Sequence, residues 1–363
     1  MNNNELNLKE ICARFDIDAN IELYGNGHIN DTYLCTSAPK IILQRINKNV
    51  FKNPEDVMEN IVNVTKHLQT KIKAAGGNPS RETLTVIYTK DGKSFLKTNN
   101  DDYFRMYKFI ENSVSCDLAE DLKMLENGGA AFGKFQAMLS DFPAHILHET
   151  IKDFHNTPKR FNAFKKAVEN DCCNRAKNVQ KEIEFAYNYQ KYASAITDKI
   201  KDGSIPLRVT HNDTKLNNVL FDADTLKGLC VIDLDTVMPG SLLFDYGDAL
   251  RFAASSGSED ERDIDKIWFD LDKFTAFTKG FLTAMSNYLT QAEVELMPIS
   301  ALLMTYECGI RFLTDYLNGD TYFKIHREGH NVDRCRTQFK LVWDIEKKIP
   351  EMKKIIQKIL GSL

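Results

Sequence analysis

Five side chains able to do chemistry stand within one stretch, residues 209–236: His211, Asp213, Asn218, Asp233 and Asp235. His211-x-Asp213 opens it, Asn218 follows Asp213 by five positions, and Asp233-x-Asp235 closes the apolar run Leu229-Cys-Val-Ile. Carboxylates with an amide oxygen make a hard, oxygen-only donor set of the kind Mg2+ accepts alongside waters and phosphates. Phosphoryl transfer from a Mg-bound nucleotide to a hydroxyl asks for little more, namely a carboxylate for the acceptor's proton and oxygen ligands for the metal. On that chemistry Asp213 is the candidate base, and Asn218 and Asp233 are the candidate metal ligands. Lys215, two past Asp213, would neutralise charge near the transferring group or orient Asp213. Asp235 would either support the metal ligand or meet a substrate hydroxyl. The bland alternative for the motif is a polar loop with a capping aspartate.

The flanking pattern says how these groups would be positioned. Leu207 to Thr210 and Val219 to Phe221 are short apolar or β-branched runs, and Asp222-Ala-Asp-Thr-Leu-Lys-Gly228 is turn chemistry leading into a strand that ends at Asp233. Two strands joined by a turn place their polar ends at one rim, so Asp213, Asn218 and Asp233 are expected to converge on one ion.

His211-Asn-Asp-Thr-Lys-Leu-Asn-Asn218 with its downstream acidic pair resembles the catalytic and metal-binding loops of protein kinases and of the aminoglycoside and choline phosphotransferases. Asp-Leu-Asp in place of the protein-kinase Asp-Phe-Gly points to the small-molecule branch. Further words, Gly27-His-Ile-Asn-Asp-Thr-Tyr33, Ile42-Leu-Gln-Arg-Ile-Asn47, Asp233-Leu-Asp-Thr-Val-Met-Pro-Gly240 and Arg311-Phe-Leu-Thr-Asp-Tyr-Leu-Asn-Gly-Asp-Thr-Tyr322, are similar to those of the N-acetylhexosamine 1-kinases in that family. The resemblance implies an α+β, protein-kinase-like bilobal fold. Residues 1–110 would form a nucleotide-binding lobe with an antiparallel sheet and one main helix, and 111–363 a larger, mostly helical catalytic and substrate-binding lobe. It implies ATP and Mg2+ and phosphorylation of the anomeric hydroxyl of an N-acetylhexosamine, GlcNAc or GalNAc. The same fold could instead serve a hexose, choline, homoserine or an aminoglycoside, or a pseudokinase that binds nucleotide without turnover.

The N-terminal third carries the expected nucleotide side. Residues 5 to 16 alternate as a short amphipathic helix. Ile21 to Tyr24 and Thr32 to Cys35 read as a hairpin whose tip holds Gly25 and Gly27, where backbone N–H groups can approach a phosphate with no Cβ in the way. Gly25, Gly27, Asn30 and Thr32 are candidate nucleotide contacts and His28 a candidate acceptor contact. The next strand, Lys40 to Ile46, lacks the lysine that protein kinases carry there. Alternation lets only one of Gln44 and Arg45 face the cleft, and Arg45 is favoured because a guanidinium grips phosphate oxygens in bidentate fashion. Pro54 opens a helix with Val57, Ile61, Val64, Leu68 and Ile72 on one face, ending at Gly76-Gly77. Its Glu55 or Glu59, Glu59 above all, is the candidate acid for an ion pair with the phosphate-gripping residue. Thr83 to Thr89 and Ser94 to Lys97 read as a second hairpin. Tyr103 to Ile110 is a long strand whose Lys108, Phe109 and Ile110 are the expected adenine hinge, by main-chain atoms and apolar walls.

From Leu118 onward helical patterns dominate, including one expected over Val179 to Ile200. His155, in Phe154-His-Asn-Thr-Pro-Lys-Arg160, reads as structural rather than substrate-contacting. Asp245 resembles the acid that fixes the catalytic-loop backbone in this superfamily, with His211 supporting the same loop. Residues 255–263 read as a mobile polar loop ahead of three long helices. Arg311 and Tyr322 match positions that hold the sugar in the family, and a buried ion pair is the competing role for Arg311.

Composition bounds the partners. A net charge of −4 lacks the positive excess that nucleic-acid binding uses, and no run of eighteen apolar residues or basic-then-apolar leader is present. The expectation is a cytoplasmic enzyme, monomer or homodimer, whose partners are a small-molecule sugar and ATP, with neither nucleic acid nor membrane. Eight cysteines without zinc-site spacing read as free thiols.

Overall fold

The computed structural model describes residues 8–25, 29–36, 38–116 and 121–363 of the chain. These group into two compact units. The first gathers Met1–Val114, Asp141–Lys152 and Leu220–Pro239; the second gathers Ser115–Ser140, Asp153–Val219 and Gly240–Leu363.

The chain enters through α1 (Leu8–Arg14) and then β1 (Ile21–Leu23), β2 (Asp31–Cys35) and β3 (Ile41–Ile46). Helix α2 (Pro54–Ala74) begins on a proline, whose fixed φ suits a first helical turn, and carries Glu55 and Asp56 near its positive end. After α3 (Pro79–Glu82) come β4 (Val86–Ile87), β5 (Leu96–Lys97), β6 (Tyr103–Lys108) and β7 (Ser113–Ser115). The first six strands form one antiparallel sheet of order β1-β2-β3-β6-β4, with β5 also on β6. The expected hairpin between Thr83 and Lys97 does not form. Val86 pairs with Tyr107 and Leu96 with Phe104, so both two-residue strands use the longer β6 as their partner.

Alternation gives this sheet two unlike faces. Ile41, Leu43, Phe104 and Met106 pack with Ile11, Cys12, Phe15 and Cys35 into an apolar core beneath α1. The opposite face carries Thr32, Gln44 and Arg105, which the register lines up across β2, β3 and β6. The same strand spacing that buries Leu43 therefore sets a polar row on the other side.

The chain continues through α4 (Leu122–Met138), α5 (Thr157–Asn170), α6 (Gln180–Tyr189), α7 (Thr197–Lys201), β8 (Arg208–Thr210), β9 (Val219–Asp222), β10 (Gly228–Val231) and β11 (Met238–Gly240). The single helix expected over Val179 to Ile200 is broken between α6 and α7. Tyr189 and Tyr192 both donate their hydroxyls to Glu346, and this shared acceptor holds a tight 3-10 turn where the helix would have continued. Helices α8 (Leu242–Ala253), α9 (Leu271–Met285), α10 (Gln291–Leu317) and α11 (His330–Leu360) complete the chain.

In the second unit α4 and α9 meet backbone to backbone. A Cβ at Gly129 would stand 2.1 Å from the Phe277 carbonyl oxygen, and one at Gly280 would stand 1.9 Å from that of Glu126. Among the described residues one helix, α10, is long and apolar enough to cross a membrane, and 83% of its apolar window is buried inside the protein. Residues 255–263, expected to be mobile, are tied down: Glu259 pairs with Arg251, and Asp260 with Arg327 and His330.

Candidate active site

The candidate catalytic loop lies in the second unit, between β8 and β9. Its backbone is clamped by Asp245, near the start of α8, where Ser241 caps the first turn by accepting from the Leu243 N–H. The Asp245 carboxylate accepts from the His211 N–H at 2.8 Å, the Asn212 N–H at 2.7 Å and the Gln136 amide at 2.5 Å. The Thr214 hydroxyl donates to the Asp245 carbonyl at 2.6 Å. Burial pushes the Asp245 carboxyl up from its ordinary value, against the pull of His211 and the two backbone donors. All three side-chain contacts are donors, so the group serves as a carboxylate. This clamp holds Asn212 in the left-handed region at φ 66°, and that turn re-aims the chain at Asp213.

His211 is buried, its ring edge-on to Phe132 and Phe135, and its Nδ1 accepts from the Asp213 N–H at 3.3 Å. Asp213 is partly exposed. The Asn218 amide nitrogen donates to the Asp213 carbonyl at 2.8 Å and its carboxylate at 3.0 Å. With its nitrogen turned on Asp213, Asn218 has its oxygen on the other branch, the orientation a metal ligand needs. Lys215 Nζ stands 3.4 Å from Asp213 and lies over the Phe252 ring. Burial works against its charge, but Asp213 and Asp248 prevail and hold the ammonium's pKa above its ordinary value.

A second contact group fixes this loop from behind. His155 Nδ1 faces Glu307 at 2.8 Å and Nε2 faces the Asn212 carbonyl at 3.3 Å, and Thr157 donates to Glu307 at 2.6 Å. Glu307 is held below its ordinary value: burial opposes ionisation, and His155, Arg311 and Thr157 overcome it. Both ring nitrogens of His155 thus face groups within the protein. Arg311, one helical turn after Glu307, lies within 6 Å of the rings of Phe154, Tyr322 and Phe323. Tyr322 is 66% exposed.

The first unit carries the other candidates. Asp233 follows β10 in a left-handed conformation (φ 58°, ψ 60°) that aspartate tolerates better than most residues, and its side chain is exposed. Asp235, two residues on, is 2% exposed. One of its oxygens lies 2.5 Å from Arg105 Nη1 and the other accepts from the Asn30 amide at 2.7 Å. Asp235, read from the sequence as either supporting the metal ligand or meeting a substrate hydroxyl, is buried, one oxygen ion-paired to Arg105 and the other on Asn30. Asn30, expected at the nucleotide, has its amide nitrogen on Asp235 and its oxygen accepting from the Asn47 N–H at 3.0 Å.

Arg45 lies on the opposite face from Gln44 and Arg105, bound to Asp102 at 2.7 and 3.2 Å, because strand alternation turns it away. Gln44 donates to the Thr32 hydroxyl at 3.0 Å and accepts from Arg105 Nε at 3.0 Å. Glu59, expected to pair with a phosphate-gripping cation, faces His148 at 2.9 Å on the solvent side of α2. Its neighbour Met58 is the α2 residue that faces Arg105, and the acid on that guanidinium comes from Asp235. At the expected adenine hinge, the Lys108 N–H donates to the Thr85 carbonyl and the Phe109 N–H to the Lys40 carbonyl. Phe109 also packs edge-on to Tyr24, and Ile110 is buried. Gly25 has φ 73°, a glycine conformation at the hairpin tip. Gly27 and His28 lie outside the described residues.

Two residues central to this arrangement, Arg105 and Gln136, are not marked by any short motif. The one signal for Arg105 was a charge inside the otherwise apolar word Tyr103-Phe-Arg-Met-Tyr.

An antiparallel sheet in the N-terminal region, a mostly helical remainder and a carboxylate-bearing loop clamped from behind define a kinase-like fold. The chain belongs to the phosphotransferase enzyme family, whose model matches residues 20–274. Solved structures share the fold at low identity. A microcompartment-associated aminopropanol kinase matches with TM-score 0.60 and 13% identity, covering 95% of this chain and 98% of that one. A spectinomycin phosphotransferase, solved with ADP and spectinomycin, matches with TM-score 0.58 and 13% identity, over 95% and 98%. An ethanolamine kinase from Plasmodium vivax matches with TM-score 0.51 and 14% identity, over 88% and 82%.

Proposed function

We propose that this phosphotransferase moves the γ-phosphoryl group of ATP onto a hydroxyl of a small molecule, and that the acceptor is the anomeric hydroxyl of an N-acetylhexosamine. The products are ADP and the sugar 1-phosphate. The observation that carries the reading is the presentation of Asp213: a carboxylate on a loop fixed by Asp245, with the amide of Asn218 turned onto it.

Asp213 accepts a hydrogen bond from the acceptor hydroxyl and takes its proton as that oxygen bonds to the γ-phosphorus and the bond to the ADP oxygen breaks. An anomeric hydroxyl is more acidic than an ordinary alcohol, so an unassisted carboxylate suffices as base. Lys215 orients Asp213 from 3.4 Å and adds positive charge beside it. Asn218 and Asp233 supply oxygen donors that suit Mg2+, which when bound would neutralise nucleotide phosphate charge. The nucleotide is assigned to residues 1–110, with Tyr24 and Phe109 as an apolar wall, and the acceptor to 111–363, with Arg311 and Tyr322 as its contacts. The guanidinium of Arg311 disfavours cationic acceptors such as choline or ethanolamine, because like charges repel. The hexosamine assignment rests on the sequence words quoted above.

A coupled ADP-release screen across N-acetylhexosamines, hexoses, choline and ethanolamine tests this, with the product located by phosphorus NMR. The reading expects turnover with an N-acetylhexosamine and a kcat loss of at least about 100-fold in Asp213→Asn, with nucleotide binding retained. Turnover confined to amino alcohols would overturn the acceptor, and wild-type kcat in Asp213→Asn would overturn the base.

A further inference from the structure

The sheet face that carries Gln44 where protein kinases carry a phosphate-gripping lysine also carries a fully buried cation on the neighbouring strand. Arg105 is 1% exposed and stands directly across from Gln44 in the β3–β6 register. Its Nε donates to the Gln44 side-chain oxygen, its Nη1 lies 2.5 Å from Asp235, and its guanidinium lies over the Tyr107 ring. Asp235 in turn holds Asn30 of the β1–β2 loop, and two residues before it is the exposed, left-handed Asp233. The backbone carbonyl of Asp235 accepts from the Thr150 hydroxyl at 3.2 Å, and the Asn60 amide on α2 donates to the Val237 carbonyl at 2.9 Å. The turn bearing Asp233 is therefore pinned at several points, and among the described residues the buried charge at its centre is ion-paired with Arg105.

We propose that Arg105 is a positioning residue for the metal–nucleotide site: from β6 it fixes Asp235, and thereby the turn that aims Asp233. This rests on the phosphotransferase reading above and adds to it a residue outside every motif. A buried carboxylate left without its cation would rearrange to reach water, and the turn would move with it. Outer partners of metal ligands commonly set metal affinity by about 10- to 100-fold when removed.

The test compares wild type, Arg105→Met, the charge-matched pair Arg105→Met with Asp235→Asn, and Arg105→Met with Gln44→Lys. Calorimetric binding of Mg–ADP and of adenosine is measured for each full-length chain, together with the melting temperature and a Mg2+ titration of ADP release. Arg105→Met is expected to weaken Mg–ADP binding by at least about tenfold while leaving adenosine binding within about twofold. The charge-matched pair should melt nearer to wild type, since neither charge is left buried alone, yet still bind Mg–ADP weakly. Gln44→Lys, directly across from position 105, should restore part of the Mg–ADP affinity. Equal loss of adenosine and Mg–ADP binding in the charge-matched pair would show a purely structural role and overturn the proposal, as would wild-type Mg–ADP affinity in that pair. If Arg105→Met does not fold, the charge-matched pair decides alone. Wild-type protein that binds no Mg–ADP overturns the phosphotransferase reading and this assignment together, whereas normal wild-type binding with unchanged variants overturns this assignment only.

Discussion

The Asp245 clamp makes a quantitative demand on one substitution, Asp245→Asn. The carboxylate meets three donors and no acceptor: the His211 N–H and the Gln136 amide on one oxygen, and the Asn212 N–H on the other. An asparagine of the same shape must turn its own NH2 toward one of these. The cheaper orientation opposes it to the Asn212 N–H alone, which loses that bond and leaves a buried donor unsatisfied, a cost of about 1–3 kcal/mol. The other two bonds lose their charged acceptor, which separates about 1.5–3 kcal/mol bonds from about 1 kcal/mol ones. Together the loop is destabilised by about 2–7 kcal/mol, or roughly 30- to 100,000-fold in its ordered population. Asn212 has the most to lose, since that bond is part of what holds its left-handed backbone in place. Differential scanning calorimetry should show a melting temperature lower by roughly 3–9 °C, and steady-state ADP release a kcat lower by at least about tenfold. An Asp245→Asn protein with wild-type melting and wild-type kcat would refute the argument that this carboxylate shapes the loop.

Other consequences are as direct. Gly280→Ala drives a methyl into the Glu126 carbonyl and the α4 backbone, so it should lower stability by at least about 1–3 kcal/mol, read as a drop in melting temperature with the nucleotide KM unchanged. Glu307 ionises below its ordinary value of 4.5, so the stability it contributes is complete above pH 4.5 and is lost as pH falls further through its folded value. Melting temperature should therefore fall more steeply below pH 4.5 in wild type than in Glu307→Gln; parallel curves would show that His155 does not hold this carboxylate. Asp233→Ala should raise the Mg2+ concentration needed for half-maximal ADP release by at least about tenfold without changing the melting temperature by more than a few degrees, because the side chain is exposed.

The sequence exposed some of this design and hid the rest for identifiable reasons. Asp213, Asn218, His211 and the acidic pair were legible because they occupy two short words whose residue types have little other use together. The sheet and α2 were legible from their periods. Strand alternation posed the choice between Gln44 and Arg45 but could not make it; packing of Leu43 under α1 did, and it turned Arg45 to Asp102. Glu59 was drawn in by its charge, yet one residue of helical rotation puts Met58, not Glu59, against Arg105. Gln136 is 109 residues from Asp245 and sits on a helix that reads only as amphipathic core, so no local pattern marks it. The break after Tyr189 followed from a glutamate 157 residues away.

The glycine seam between α4 and α9 has a mechanical meaning. Gln136, which reaches Asp245, rides on α4 less than one turn beyond Gly133, itself pressed against the Phe281 carbonyl. Flexible side chains between helices let them slide; backbone against backbone leaves nothing to yield. The loop that carries Asp213 is thereby bolted to a stiff two-helix beam, and whatever opening and closing accompanies turnover must be accommodated elsewhere in the chain.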